Sequence, residues 1–251
     1  MPKKEARRIK IAATSDIHGF LDELEDDIAA LRPDVLVIAG DIHPCRIDMD
    51  ADYWFRKEFF PLVERLLPTQ VVAVPGNHDF WLNELLQKHG GLGRLQCMGE
   101  VPPNFHLLCD SWVIVKGLDF YGTPWVPWIN GKWCWEASDR TLEYEFAKIP
   151  EDVDVLIAHS PPLMKHDFVD ISLDHDKRYW RHFGSKALTC EIIRKKPRVV
   201  FCGHIHSGKH GGIDIKDREG KPICKCYNVS RVNEQYNVAY NLQVVELPAK
   251  Y

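Results

Sequence analysis

Apolar residues in this chain come in short, unbroken runs that stop abruptly at polar clusters. RIKIAAT (8–14), DVLVIAG (34–40), QVVAV (70–74), VDVLIA (153–158) and RVVFC (198–202) all have this form. Runs of this length without polar alternation fit strands covered on both faces. Between them lie segments with helical spacing. Leu21, Leu24, Ile28 and Leu31 recur at three- and four-residue intervals, and an aromatic-rich stretch over 51–67 is stopped by Pro68. A third helix is predicted near 80–89, ended by Gly90-Gly91, and others near 138–148 and 185–196. From Phe105 to Trp125 the pattern changes to close-set runs, FHLL, SWVIV and LDFYGT, which predict an antiparallel meander. ICKCYNVS and AYNLQVVEL close the chain as two more strands. This order predicts an α/β (α+β) fold, two mixed sheets facing each other with helices outside, in a single domain over 1–251 with 1–8 as a solvated tail.

Composition narrows the classes. The chain has 251 residues, 45% hydrophobic and 27% charged, in the range of soluble globular proteins. The net charge of −4 argues against an extended nucleic-acid footprint. No apolar window reaches the ~18 residues of a membrane span, and the basic start lacks the apolar segment of a secretory signal. The eight cysteines are scattered apart from Cys224-Lys-Cys226, which is not a CxxC pair, so they read as free thiols of a reducing, cytoplasmic compartment.

The chemistry collects where the strands end. The first exit reads TSDIHG with Asp16 and His18, the second AGDIHP with Asp41 and His43, and the third PGNHD with Asn77 and His78. Later exits read IAHSPP with His159 and CGHIHSG with His204 and His206. Ligands of open α/β sheets bind outside the carboxyl ends of the strands. In Asp16-x-His18 and His204-x-His206 a period of two places both side chains on one face of an extended segment. Carboxylates beside imidazoles suit manganese, iron or zinc better than magnesium or calcium. The glycines before Asp41, Asn77 and His204 permit sharp exits. Taken singly, each motif reads as a capping group or a satisfied histidine; together, at five exits, they read as a metal centre.

DIH, GD, GNHD, AHSPP and GHIH, in this order, resemble the signature motifs of the calcineurin-like metallophosphoesterase superfamily, over residues 11 to about 230. YGTPWVPW, HSPP and YNVS are similar to a branch of small metallophosphoesterase-domain proteins. The resemblance implies a four-layer sandwich of two mixed sheets flanked by helices and two divalent transition-metal ions, manganese foremost, with iron, zinc or nickel as alternatives. It implies that Asp16, His18, Asp41 and His206 hold one ion. Asn77, His159 and His204 then hold the other, with Asp41 bridging and Asn77 also within reach of substrate. A metal-bridging hydroxide then attacks a small phosphoester in line, with His78 at the leaving-group oxygen as general acid or charge stabiliser. Asp79 is expected to tie down its loop by hydrogen bonding.

One departure bears on substrate. The superfamily's phosphoprotein phosphatases carry Asp-Arg shortly after the second motif, whereas GDIHPCR places Pro44 and Cys45 there and Arg46 out of register. A phosphate with one free oxyanion needs less cationic clamping, so the expectation is a phosphodiesterase, for a substrate such as a cyclic nucleotide, with a phosphomonoesterase as the alternative and a non-catalytic scaffold behind both. His43 reads either as facing substrate or as a partner behind the ligands. Trp125, Trp128, Trp133 and Trp135 read as a stacking platform or a packed loop, and the polar segment 165–184 as a flap or a surface loop. Oligomeric state stays open.

Overall fold

The structure is a computed structural model and describes residues 7–44, 46, 49–89, 101–164, 173–174, 181–217 and 219–250. Two mixed sheets face each other. In the first, β1 (Arg8–Thr14), β2 (Val35–Ala39), β3 (Gln70–Val74) and β4 (Phe105–Leu107) run parallel in that order, and β15 (Gln243–Pro248) joins antiparallel at the edge of β1. In the second, the order is β13 (Gly211–Lys216), β14 (Pro222–Asn228), β12 (Val199–Cys202), β9 (Val155–Ala158), β6 (Leu118–Thr123) and β5 (Ser111–Val115). The central neighbours of this sheet are parallel, the β13–β14 and β5–β6 pairs are antiparallel, and β7 (Val126–Pro127) and β8 (Glu136–Ala137) form a separate short parallel pair.

Apolar side chains fill three layers between four layers of structure. Ile11, Val37 and Val72 from the first sheet meet Phe120, Ile157 and Phe201 from the second. The outer face of the first sheet is covered by α1 (Asp22–Leu31), α2 (Ala51–Trp54), a π turn over Phe55–Phe59, α3 (Phe60–Arg65) and α4 (Phe80–His89). The second is covered by α5 (Asp139–Phe146) and α6 (Lys186–Lys195). Each fully buried Val, Ile or Phe contributes about 1.5–3 kcal/mol, so runs such as VLVIA, buried at all five positions, dominate the stability. Local signals agree: Ser138 and Ser185 cap α5 and α6 by accepting from Thr141 N and Leu188 N.

Two expectations are corrected. Of the three runs read as a meander, β5 and β6 form a hairpin but β4 leaves it to pair with β3 and buries Phe105 against Phe59 and Phe60. The end of the chain carries three strands, not two: β13 was missed because its alternately exposed GGIDIK lies at a sheet edge. The last strand crosses to the first sheet. Arg8 pairs with Pro248, and Arg7 Nη2 donates to Asp34 Oδ1 at 2.7 Å. Most of the segment 165–184 lies outside the described residues; Leu173–Asp174 (β10) pairs antiparallel with Arg181–His182 (β11).

Candidate metal centre

The exits of β1, β2, β3, β9 and β12 converge at one end of the sandwich. Asp16, His18 and His206 have ligand atoms within 4.8 Å of one another, as do Asp16, Asp41 and His159, and all five residues are buried. The geometry differs from the pleated continuation expected of Asp-x-His and His-x-His. Asp16 (φ 50°), His18 (φ 40°), Asp41 (φ 53°) and His204 (φ 69°) all lie in the left-handed region, which costs a non-glycine residue about 1–2 kcal/mol. Sharp turns rather than extended segments bring the donors together. The backbone also approaches too closely for side chains at two glycines: a Cβ on Gly76 would overlap Asp41, and one on Gly203 would overlap Ser15 and Asp16.

Hydrogen bonds orient each donor. Asp16 accepts from His204 N at 3.1 and 3.0 Å and from Ser230 Oγ at 2.7 Å. Asp41 Oδ1 accepts from His78 N at 2.9 Å. This turns Asp41 Oδ2 towards three imidazoles, with His159 Nε2 at 3.4 Å, His18 Nε2 at 3.9 Å and His78 Nε2 at 4.0 Å. His159 Nδ1 donates to the Ala39 carbonyl at 2.8 Å and His206 Nδ1 to the Asn233 carbonyl at 3.2 Å, so both Nε2 atoms face the centre. Such outer hydrogen bonds are how metal-ligating histidines are held. Asn77 Oδ1 lies 2.9 Å from His159 Nε2, and the half-buried His204 ring is 5.1 Å from that of His159.

Electrostatics match this arrangement. Burial works against charge on Asp16 and Asp41, but His206 beside the first and His159 beside the second hold both well below the usual carboxylate range. Burial also works against charge on His159 and His206; the same carboxylates override it and raise each to about 9. Burial pushes His18 down to about 4 and, with the charge on His159, His204 down to about 3, leaving both as neutral nitrogen donors. Two buried carboxylates within a ring of oriented imidazoles form a donor set that fits divalent transition metals.

The neighbouring residues sort themselves. Asp79 ties the second and third exits together, accepting from Gly76 N at 2.7 Å, Ile42 N at 3.0 Å and His43 N at 3.0 Å. His43 packs edge-on against Trp54 and stacks on Phe55 while lining the pocket that opens from the centre. The tryptophan segment divides. Trp125 Nε1 donates to Asp110 Oδ2 at 2.7 Å, Trp133 lies 4.3 Å from the His78 ring, and Trp128 is exposed. Cys134 N donates to the Asn77 carbonyl at 3.1 Å, tying this segment to the third exit. Arg46, out of register in sequence, lines the same pocket. Tyr236 was not anticipated: it has φ 57°, and its ring sits edge-on to His18 at 4.8 Å and His206 at 5.3 Å. Its loop carries no strand-exit motif, so no sequence signal pointed to it.

A sandwich of two mixed sheets with acidic and imidazole side chains at its strand exits defines a metallophosphoesterase-type protein. The family model of calcineurin-like phosphoesterases matches residues 9–208, and the chain belongs to that family. Human metallophosphoesterase domain-containing protein 1 is 27% identical over 213 residues, covering 79% of this chain and 61% of that protein. The chain thus spans less than two thirds of that relative's length. A UPF0046 protein of Caenorhabditis elegans is 27% identical over 218 residues, covering 81% of this chain and 70% of the relative. Among solved structures, TT1561 of Thermus thermophilus superposes with a TM-score of 0.57 at 15% identity, covering 97% of this chain and 100% of that one. At that identity the likeness shows the fold alone. Among the described residues no helix is long and apolar enough to cross a membrane.

Proposed function

We propose that this chain is a dinuclear metal-dependent phosphodiesterase acting on a small phosphodiester. The observation that carries the reading is the convergence of Asp16, His18, Asp41, His159 and His206, all buried, with their donors facing one another. Asp16, His18, Asp41 and His206 would hold one ion, and Asn77, His159 and His204 the other, with Asp41 shared. Manganese is the first choice, with iron, zinc or nickel as alternatives. When bound, such a pair supplies Lewis acidity at the phosphoryl oxygens and an activated water at neutral pH.

The chain's own residues do the rest. The His78 N–H holds Asp41 in register, and the Ala39 and Asn233 carbonyls aim His159 and His206. The His78 imidazole, backed by Trp133, lies at the pocket wall. There its Nε2 would deliver a proton to the leaving-group oxygen. The Asn77 side chain would also orient a phosphoryl oxygen. The diester is favoured over the monoester because Arg46 is the single guanidinium among the described residues lining a mainly apolar pocket. A monoester dianion draws on more charge-assisted donors than that. With Mn(II), kcat/KM for bis(p-nitrophenyl) phosphate should exceed that for p-nitrophenyl phosphate; a clear preference for the monoester would reverse the order of the two readings.

A further inference from the structure

The pocket that opens from His18 and His78 continues far beyond the space a phosphoryl group occupies, to a volume of about 860 Å³. Part of its wall is aromatic and unused by the metal chemistry: Trp54, from the aromatic-rich segment, and Trp81, from α4. Trp81 stacks on Phe55 with centroids 4.7 Å apart and planes at 17°, and Trp54 lies near-parallel to Phe59 at 5.9 Å. Phe55 and Phe59 are buried, so this wall is anchored in the packed core and cannot collapse into the space in front of it. The π turn over Phe55–Phe59 sets the wall's direction, and Pro61, which has no N–H to offer the Lys57 carbonyl, stands just after it. On the opposite side, Trp133 against His78 and Tyr236 against His18 join the wall to the reaction centre.

We infer that this pocket binds an extended apolar ester group of the substrate, aryl or alkyl, in preference to a nucleoside. The inference rests on the phosphoesterase reading above for what lies at the inner end of the pocket. Its argument is the lining. Once His18 and His78 are given to the phosphoryl end, the hydrogen-bonding side chains left among the described lining residues are His43, Arg46, the Tyr236 hydroxyl and the single indole N–H donors of Trp54, Trp81 and Trp133, with few acceptors among them. A nucleobase and its sugar bring several donors and acceptors, and each one buried without a partner lowers affinity roughly tenfold or more. An alkyl or aryl group brings none and gains contact with Trp54, Trp81, Met49 and Phe20. Apolar walls with a few polar groups at one end are the usual make-up of a small-molecule site.

The test uses ligands with one organic group, so that only one substituent can enter the pocket. Calorimetry on the Mn(II)-loaded protein should show octylphosphonate binding at least about tenfold more tightly than methylphosphonate, and more tightly than thymidine 5′-monophosphate. Trp81→Ala should bring the octyl-to-methyl ratio towards one. Trp133→Ala, on the other wall, should do likewise and serves if the first variant fails to fold. Equal affinities, a preference for the nucleotide, no binding of either phosphonate, or a ratio unchanged in both variants would overturn the inference. Turnover of bis(p-nitrophenyl) phosphate by the same preparation tests the enzyme reading separately. Absent turnover with the octyl preference intact would overturn that reading and leave the pocket standing; turnover without the preference would do the reverse.

Discussion

Asp79 belongs to no candidate metal cluster among the described residues, yet replacing it should damage the centre. Its carboxylate is fully buried and accepts from three backbone N–H groups, those of Gly76, Ile42 and His43. Those amides belong to the loops that carry Asn77 and Asp41. Asp79→Ala strands three buried donors, each costing about 1–3 kcal/mol if left unpaired. Water entering the vacated space would satisfy some of them, so the expected loss is roughly 3–5 kcal/mol. For a chain of this size that lowers Tm by roughly 6–20 °C. Burial and the nearby Asp41 charge push the Asp79 carboxyl up to about 7, against the pull of its three donors. Asp79→Asn keeps one acceptor oxygen but turns an NH₂ towards N–H groups, so it should recover only part of the stability. The assay is thermal and denaturant unfolding of the metal-stripped protein, followed by Mn(II) titration. Asp79→Ala within about 1 kcal/mol of the parent, with unchanged metal affinity, would refute the assignment of Asp79 as the tie between the two loops.

Other consequences are equally direct. Gly203→Ala drives a Cβ into Ser15 and Asp16, so the variant should fold less stably and bind metal at least about tenfold more weakly by titration. His204→Ala should lose or weaken one ion by elemental analysis, whereas His78→Ala should keep both and still turn over about 10²–10⁴-fold more slowly on an alkyl leaving group; the deficit should shrink for p-nitrophenolate, which hardly needs a proton. In metal-stripped protein His159 and His206 stay protonated up to about 9, and an ion has to displace those protons. Mn(II) uptake at pH 7 should therefore acidify a weakly buffered solution, with affinity rising with pH until about 9; uptake without proton release would contradict the ligand assignment.

The parts of the fold that were legible in the sequence are those whose cause is local. VLVIA must be covered on both faces wherever it lies, and Asp41 follows it whichever strand it pairs with, so the exits could be read before the sheet was known. Pairing is not local, and that is where the reading slipped. FHL looks like the first strand of a meander until Phe105 finds its place against Phe59 and Phe60, more than forty residues earlier. The edge strand GGIDIK has no continuous apolar run to announce it. Tyr236 and Arg46 reach the site through loops whose course depends on the tertiary structure: the Tyr236 loop is held by Asn233 and Glu234 against His206 and Ser207.

The most instructive departure is backbone conformation at the ligands. A period of two does place Asp16 and His18 on one face of an extended strand, but at a rise of about 3.3 Å per residue their Cα atoms would stand nearly 7 Å apart. In this protein the chain does not stay extended there, and the Asp16 oxygen and the imidazole nitrogens of His18 and His206 lie within 4.8 Å. Left-handed turns at Asp16 and His18 set the direction of both side chains, and the cost of that conformation is met by the bonds that over-determine it. His204 N and Ser230 Oγ hold Asp16, His78 N holds Asp41, and Asp79 ties the Asp41 loop to the Gly76 turn. The strain sits at the residues whose donors must meet, and the hydrogen bonds that hold it come from strand exits distant in sequence. The motifs therefore depend on one another for their geometry, which is why a turn at Asp16 could not be read from DIH alone.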